Sequence, residues 1–143
     1  MPSQLTRSAD EIYDRALALP FGAHIELGAL TSAVPTARTW ARMLWSCWGL
    51  ERLSDDASIV LTELTTNAIL HARGEAIDIW LRAGPHSLAI FVGDASPDMP
   101  VRVGALSDDD LFGRGLTIVE SLARHWGTYR VPLGKIVWAV LGP

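Results

Sequence analysis

A carboxylate, a carboxamide and an imidazole recur at four-residue spacing in the stretch Leu61-Thr-Glu-Leu-Thr-Thr-Asn-Ala-Ile-Leu-His71. On a helix, Glu63, Asn67 and His71 share one ridge, with about 6 Å of axial rise between neighbours. The surrounding residues are apolar, so the row has little reason to exist unless it faces something polar. Two further features carry chemistry. Asp94 follows a predicted strand, and Gly113-Arg-Gly115 immediately precedes a helical pattern. Glycines ahead of a helix let the backbone approach a phosphate closely, while the first free amides and the helix dipole attract the anion. Each feature also has a plainer reading: a two-glycine turn is often only a turn, and an Asp at a strand end often caps one. His71 reads equally well as a helix cap.

These residues need elements to position them. Ser54, Asp55 and Asp56 predict a helix start with acidic groups in its first turn, so the helix bearing the ridge spans about residues 55–72. At 100° per residue, Ala57, Val60, Leu61, Leu64 and Ala68 form its buried stripe, and Glu63 and Asn67 fall along the rim of that stripe. Strands are predicted at 76–83 and 87–93, joined at Gly84-Pro85-His86, followed by a long Pro-, Gly- and Asp-containing segment at 97–112 that reads as a lid. A helix with Leu116, Val119, Leu122 and Ala123 as its inner face follows, and then a hairpin of 127–131 and 134–141.

Upstream, Ser8 and Glu11 have the spacing of a capping box, which predicts a short helix to about Leu19. A first strand is expected at 23–27. A second helix runs from about Pro35 to Trp48 and buries Ala37, Trp40, Ala41, Leu44, Trp45 and Trp48. Cys47, between two tryptophans, is expected as a buried structural thiol.

The 143 residues suit one domain with a real core, and 49% hydrophobic with 20% charged residues is the profile of a packed globular chain. A net charge of -4 without a Lys/Arg cluster argues against nucleic acid as a partner. Asp108, Asp109 and Asp110 read as a solvated acidic run, not a metal cluster. No leader or membrane-length apolar run is present, which predicts no membrane association and a cytoplasmic location.

The order and spacing of the motifs resemble the nucleotide-binding domain of the GHKL ATPases, the superfamily of histidine-kinase and gyrase-type ATP sites. Glu63-Leu-Thr-Thr-Asn67-Ala-Ile-Leu-His71 looks like its N box, Asp94-Ala-Ser-Pro-Asp-Met99 like its first glycine box, Gly113-Arg-Gly115-Leu116 like its second, and Gly134-Lys-Ile-Val-Trp138 like its closing strand. The resemblance runs from about Ala23 to the C-terminus and is closest to the small bacterial anti-sigma-factor serine kinases. It implies an α/β fold, an α+β two-layer sandwich with a mixed, mostly antiparallel sheet covered on one face by helices. Residues 1–22 would be an N-terminal extension and 23–143 the ATP-binding domain.

The resemblance also implies ATP and Mg²⁺ as ligands. Asn67 would hold Mg²⁺, a hard ion that suits an oxygen ligand. His71 would lie near the phosphates, Asp94 would accept from the adenine amino group, and Met99 would pack on the adenine face. Ser96 belongs to the same motif, where it and Asp98 take places that are glycine in many relatives, which implies a different local turn. Gly113, Gly115 and the amides of Arg114 and Leu116 would wrap the phosphates. Ile136 stands where relatives carry Thr or Ser, implying weaker adenine recognition. Glu63 would be the general base of a serine/threonine protein kinase that phosphorylates an antagonist and sequesters a sigma factor. The alternatives are a non-catalytic, nucleotide-responsive binding module and an ATPase acting on water. A homodimer is left open.

Overall fold

The structure, a computed structural model, describes residues 8–72, 76–93, 104–105, 116–131 and 134–143. In chain order the elements are α1 (Ala9–Leu17), β1 (Phe21–Gly28), α2 (Ala33–Cys47), α3 (Glu51–His71), β2 (Ala76–Ala83), β3 (Leu88–Gly93), β4 (Gly104–Ala105), α4 (Leu116–Leu122), β5 (His125–Val131) and β6 (Gly134–Leu141). The strands form one six-stranded sheet in the order β1-β2-β3-β6-β5-β4. Every pairing in it is antiparallel among the described residues.

Strand alternation gives the sheet two faces. Toward α2, α3 and α4 point Ile79 and Leu81 of β2, Leu88, Ile90 and Val92 of β3, and Val137, Ala139 and Leu141 of β6. They pack with Ala37, Ala41, Trp45, Val60, Leu61, Leu64 and Val119 from the helices. This is the expected α+β sandwich. The opposite face is also covered, by α1, whose Tyr13 and Ala16 pack with Trp80, Phe91, Tyr129, Ile136 and Trp138. Covering both faces explains why β2 and β3 are buried nearly throughout instead of alternating.

Local chemistry accounts for the element ends. Ser8 caps α1, its hydroxyl accepting from the Glu11 amide at 3.2 Å, as the capping-box spacing predicts. Pro35 sits in the first turn of α2, where an amide would be unpaired anyway, and Gly49 at φ +74° closes that helix. In the β2–β3 turn the Gly84 amide donates to the Ser87 carbonyl at 2.9 Å.

Three expectations need correction. First, α3 begins at Glu51, not after Ser54. Fully buried Leu50 anchors the start, its amide donating to the Trp45 carbonyl at 2.8 Å, so the helix starts directly from the α2 turn. The Ser54 hydroxyl, freed from capping, accepts from Arg42 Nη1 at 3.1 Å. Second, Cys47 is exposed. It lies two residues beyond buried Trp45, on the outer side of α2. Third, the segment read as a lid contains a strand: Gly104 and Ala105 pair with Arg130 and Tyr129 of β5. The rest of that segment lies outside the described residues.

Candidate functional site

The ridge of α3 sits where its spacing places it. Glu63 is partly exposed, Asn67 is buried at 8% exposure, and His71 at the last turn is exposed. Asn67 Nδ2 is enclosed and has no hydrogen-bond partner among the described residues. The Ser58 and Thr65 hydroxyls of the same helix also have no partner among the described residues. A hydroxyl, however, reaches the carbonyl one turn back by rotating a single bond, as Thr62 Oγ1 does in donating to Ser58 O at 2.8 Å. A buried carboxamide with an unpaired end costs about 1–3 kcal/mol, which suits a group that is completed by a ligand.

Beside the C-terminal turn of α3 lies a cleft with about 260 Å³ of empty space, part of it open to solvent. Ala68, His71 and Ala72 line it from the helix, Val92 and Gly93 from the end of β3, and Lys135 and Val137 from the start of β6. The walls are mainly apolar, with an imidazole and an ammonium at hand. Such a lining suits an apolar group that carries negative charge at its edge. Gly93 has a structural reason to be glycine: a Cβ there would stand 2.3 Å from the Lys135 carbonyl oxygen and 2.5 Å from Ile136 Cδ1. The strand thus runs flush against β6 and ends at the cleft, immediately before Asp94.

Of the sequence candidates, His71 lines this cleft and Asn67 precedes Ala68 on the same helix, while Glu63 lies one turn further back. Leu116 opens α4 with its side chain in the helix-side core, which leaves only its backbone to serve a ligand. Asp94, Ser96, Asp98, Met99, Gly113, Arg114 and Gly115 lie outside the described residues. Ile136 requires correction: it is fully buried in the α1-side cluster, on the sheet face away from α3. Alternation puts its neighbours Lys135 and Val137 on the cleft side, so they, not Ile136, are the closing-strand residues a ligand there would meet. Ala68, Ala72, Val92 and Gly93 were not singled out from sequence. Gly93 had a usable signal, a glycine ending an apolar strand directly before an acid.

Among the described residues no three His, Cys, Asp or Glu side chains gather as a metal cluster. A magnesium ion carried with phosphates needs none, since it keeps waters and phosphate oxygens as most of its ligands. Asn67 could supply the remaining ligand through its side-chain oxygen, while its enclosed Nδ2 has no partner among the described residues. No helix among the described residues is long and apolar enough to cross a membrane.

A family model described as the histidine kinase-like ATPase domain matches residues 27–141. With this sheet, these covering helices and this match, the chain belongs to the histidine kinase-like ATPase family. A search of curated proteins finds no match to the chain.

Proposed function

We propose that the chain binds Mg-ATP at the cleft beside α3 and acts as a serine/threonine protein kinase of the anti-sigma-factor type. The observation that carries the proposal is the buried carboxamide of Asn67, whose Nδ2 has no partner among the described residues, one turn from partly exposed Glu63. Bound Mg-ATP would supply the transferable γ-phosphoryl group. Asn67 would hold the metal. Asp94 would select adenine, with Met99 against the base and Ser96 in the same turn. Gly113, Arg114, Gly115 and the Leu116 amide would hold the phosphates, with His71 and Lys135 on the cleft wall. Glu63 would take the proton from a serine hydroxyl of the partner as its oxygen bonds to phosphorus and the ADP oxygen leaves. The partners fitting this reading are an antagonist that carries the serine and a sigma factor that the kinase sequesters.

Calorimetry with Mg-ATP on the wild type and on Asp94→Asn tests the ligand. Wild-type binding that Asp94→Asn weakens is expected, and absence of wild-type binding at millimolar ATP overturns the proposal. Transfer of labelled phosphate to a partner serine should then be lost in Glu63→Ala with nucleotide binding kept. Binding without any transfer would leave the non-catalytic, nucleotide-responsive module.

A further inference from the structure

A second cleft, with about 740 Å³ of empty space that is partly open to solvent, lies where α1, α4 and β5 meet. Among the described residues β4 pairs with Tyr129 and Arg130, so the start of β5, from His125 to Gly127, has no strand on its outer side. Ile12 of α1, Glu120 of α4, Arg124 in the connection, and His125 and Trp126 of β5 line the opening, with Trp138 of β6 behind. This is not the cleft beside α3. Val137 lines that one, and its neighbour Trp138 lines this one from the opposite face of the sheet.

The polar groups around this opening are unengaged. Glu120 and Arg124 have the four-residue spacing of a helical ion pair, and the Ala123 amide, donating to the Val119 carbonyl at 2.8 Å, carries the helical path almost to Arg124. Yet their side chains form no ion pair or hydrogen bond among the described residues, and neither does that of His125. Trp138 is 1% exposed, and its indole Nε1 has no acceptor among the described residues. The edge of the ring that carries Nε1 lies over Gly127, where a Cβ would stand 3.0 Å from Nε1 and from Cζ2. Gly127 shares a sheet face with His125, so the glycine lets the N–H edge reach across β5 toward the cleft. Trp45 and Trp80 also hold indole nitrogens without a partner among the described residues, but neither lines this cleft.

We infer that this cleft binds a free α-amino acid with a large apolar side chain, its ammonium group on Glu120, its carboxylate on Arg124 and the Trp138 N–H, and its side chain against Ile12 and Trp126. The lining selects a zwitterion, because one anion and one cation stand a helical turn apart and neither is neutralised by the other. A phosphate dianion would meet Glu120 as a like charge, and a simple amine would meet Arg124 in the same way. His125 does not alter this balance. Burial and the neighbouring Arg124 guanidinium hold its imidazole below the ordinary range, so at neutral pH it is uncharged and offers one donor and one acceptor. A peptide terminus carries only one of the two charges and so satisfies half of the site. Hydrogen bonds to both ionised groups supply the orientation, and burial of the apolar side chain supplies the rest of the affinity.

Calorimetry with L-phenylalanine should show saturable binding at millimolar concentrations, and glycine, which lacks the apolar side chain, should bind about tenfold more weakly or worse. N-acetyl-L-phenylalanine and L-phenylalaninamide each remove one charge and should each lose about tenfold or more, as should L-phenylalanine itself on Arg124→Gln and on Glu120→Gln. Both substituted side chains are exposed, so the variants should keep the wild-type urea midpoint. In an amide NMR spectrum the Trp138 indole signal, identified by its contacts with Gly127, should move downfield as the N–H gains an acceptor. Absence of binding at about 10 mM L-phenylalanine overturns the inference. So does binding that Arg124→Gln and Glu120→Gln leave unchanged, that N-acetyl-L-phenylalanine or inorganic phosphate matches, or that leaves the Trp138 signal in place.

Discussion

Asn67 shows how one side chain is placed against its own stability. It lies at the rim of an apolar stripe, buried, with Nδ2 lacking a partner among the described residues. A leucine of similar length would remove the unpaired group and add apolar contact with the core beside Ala68 and Leu64. Asn67→Leu should therefore raise stability by about 1 kcal/mol in denaturant unfolding, the desolvation cost of the orphan amide, while calorimetry shows Mg-ATP binding lost. A residue kept only for packing would behave oppositely: its replacement by leucine would leave binding intact. The ridge was legible because period 3.6 and the apolar background fix which side chains share a helix face. Ile136 was not legible in the same way, because a motif alignment carries no strand phase. One residue of offset moves a side chain from the α3 face to the α1 face, where Ile136 is buried with Tyr13 and Trp138.

The element that sequence reasoning left without a role is α1. Its capping box and length were plain, yet nothing in its nine residues says what Tyr13 and Ala16 touch. The clue lay elsewhere, in the unbroken apolar run Leu88–Val92 of β3 and in Trp80, Phe91 and Trp138, which need cover on the face opposite α3. Tyr13 supplies that cover, meeting Phe91, Tyr129 and Trp138 edge-on with ring centroids 5.3, 4.9 and 5.4 Å away. The Tyr129 hydroxyl donates to Asp10, tying the first turn of α1 to β5. Tyr13→Ala should cost about 3–5 kcal/mol in chemical denaturation, the range for deleting a fully buried aromatic side chain. A helix that merely rested on the surface would lose under 1 kcal/mol, so the two cases separate cleanly. The same two-sided packing explains why the elements 76–83, 88–93 and 134–141 were legible from β-propensity and turns, while the helix-to-helix joint at Leu50 was not. That joint is fixed by burial of a side chain that carries no capping signal.

At the scale of the whole molecule, three separate elements converge where α1, α4 and β5 meet. Ala9 and Ile12 come from α1, Glu120 from α4, and His125 and Trp126 from β5, with Arg124 in the connection and Trp138 behind. His125 titrates below the ordinary imidazole range, first because burial disfavours its charged form and second because the Arg124 guanidinium repels it. The folded state therefore resists a proton that the unfolded chain accepts near pH 6.5. Above that pH both states are neutral at this site and stability is undiminished. As pH falls below it, the unfolded chain binds more protons and the fold loses stability, until the lowered folded-state value is passed and the loss levels off. His125→Gln should flatten this part of the profile: between pH 7 and pH 5 the wild type should lose more in its urea midpoint than the variant. Equal slopes would show that the junction tolerates the charge. The comparison isolates His125 because every other residue is common to both proteins, and whatever the rest of the chain contributes cancels in the difference.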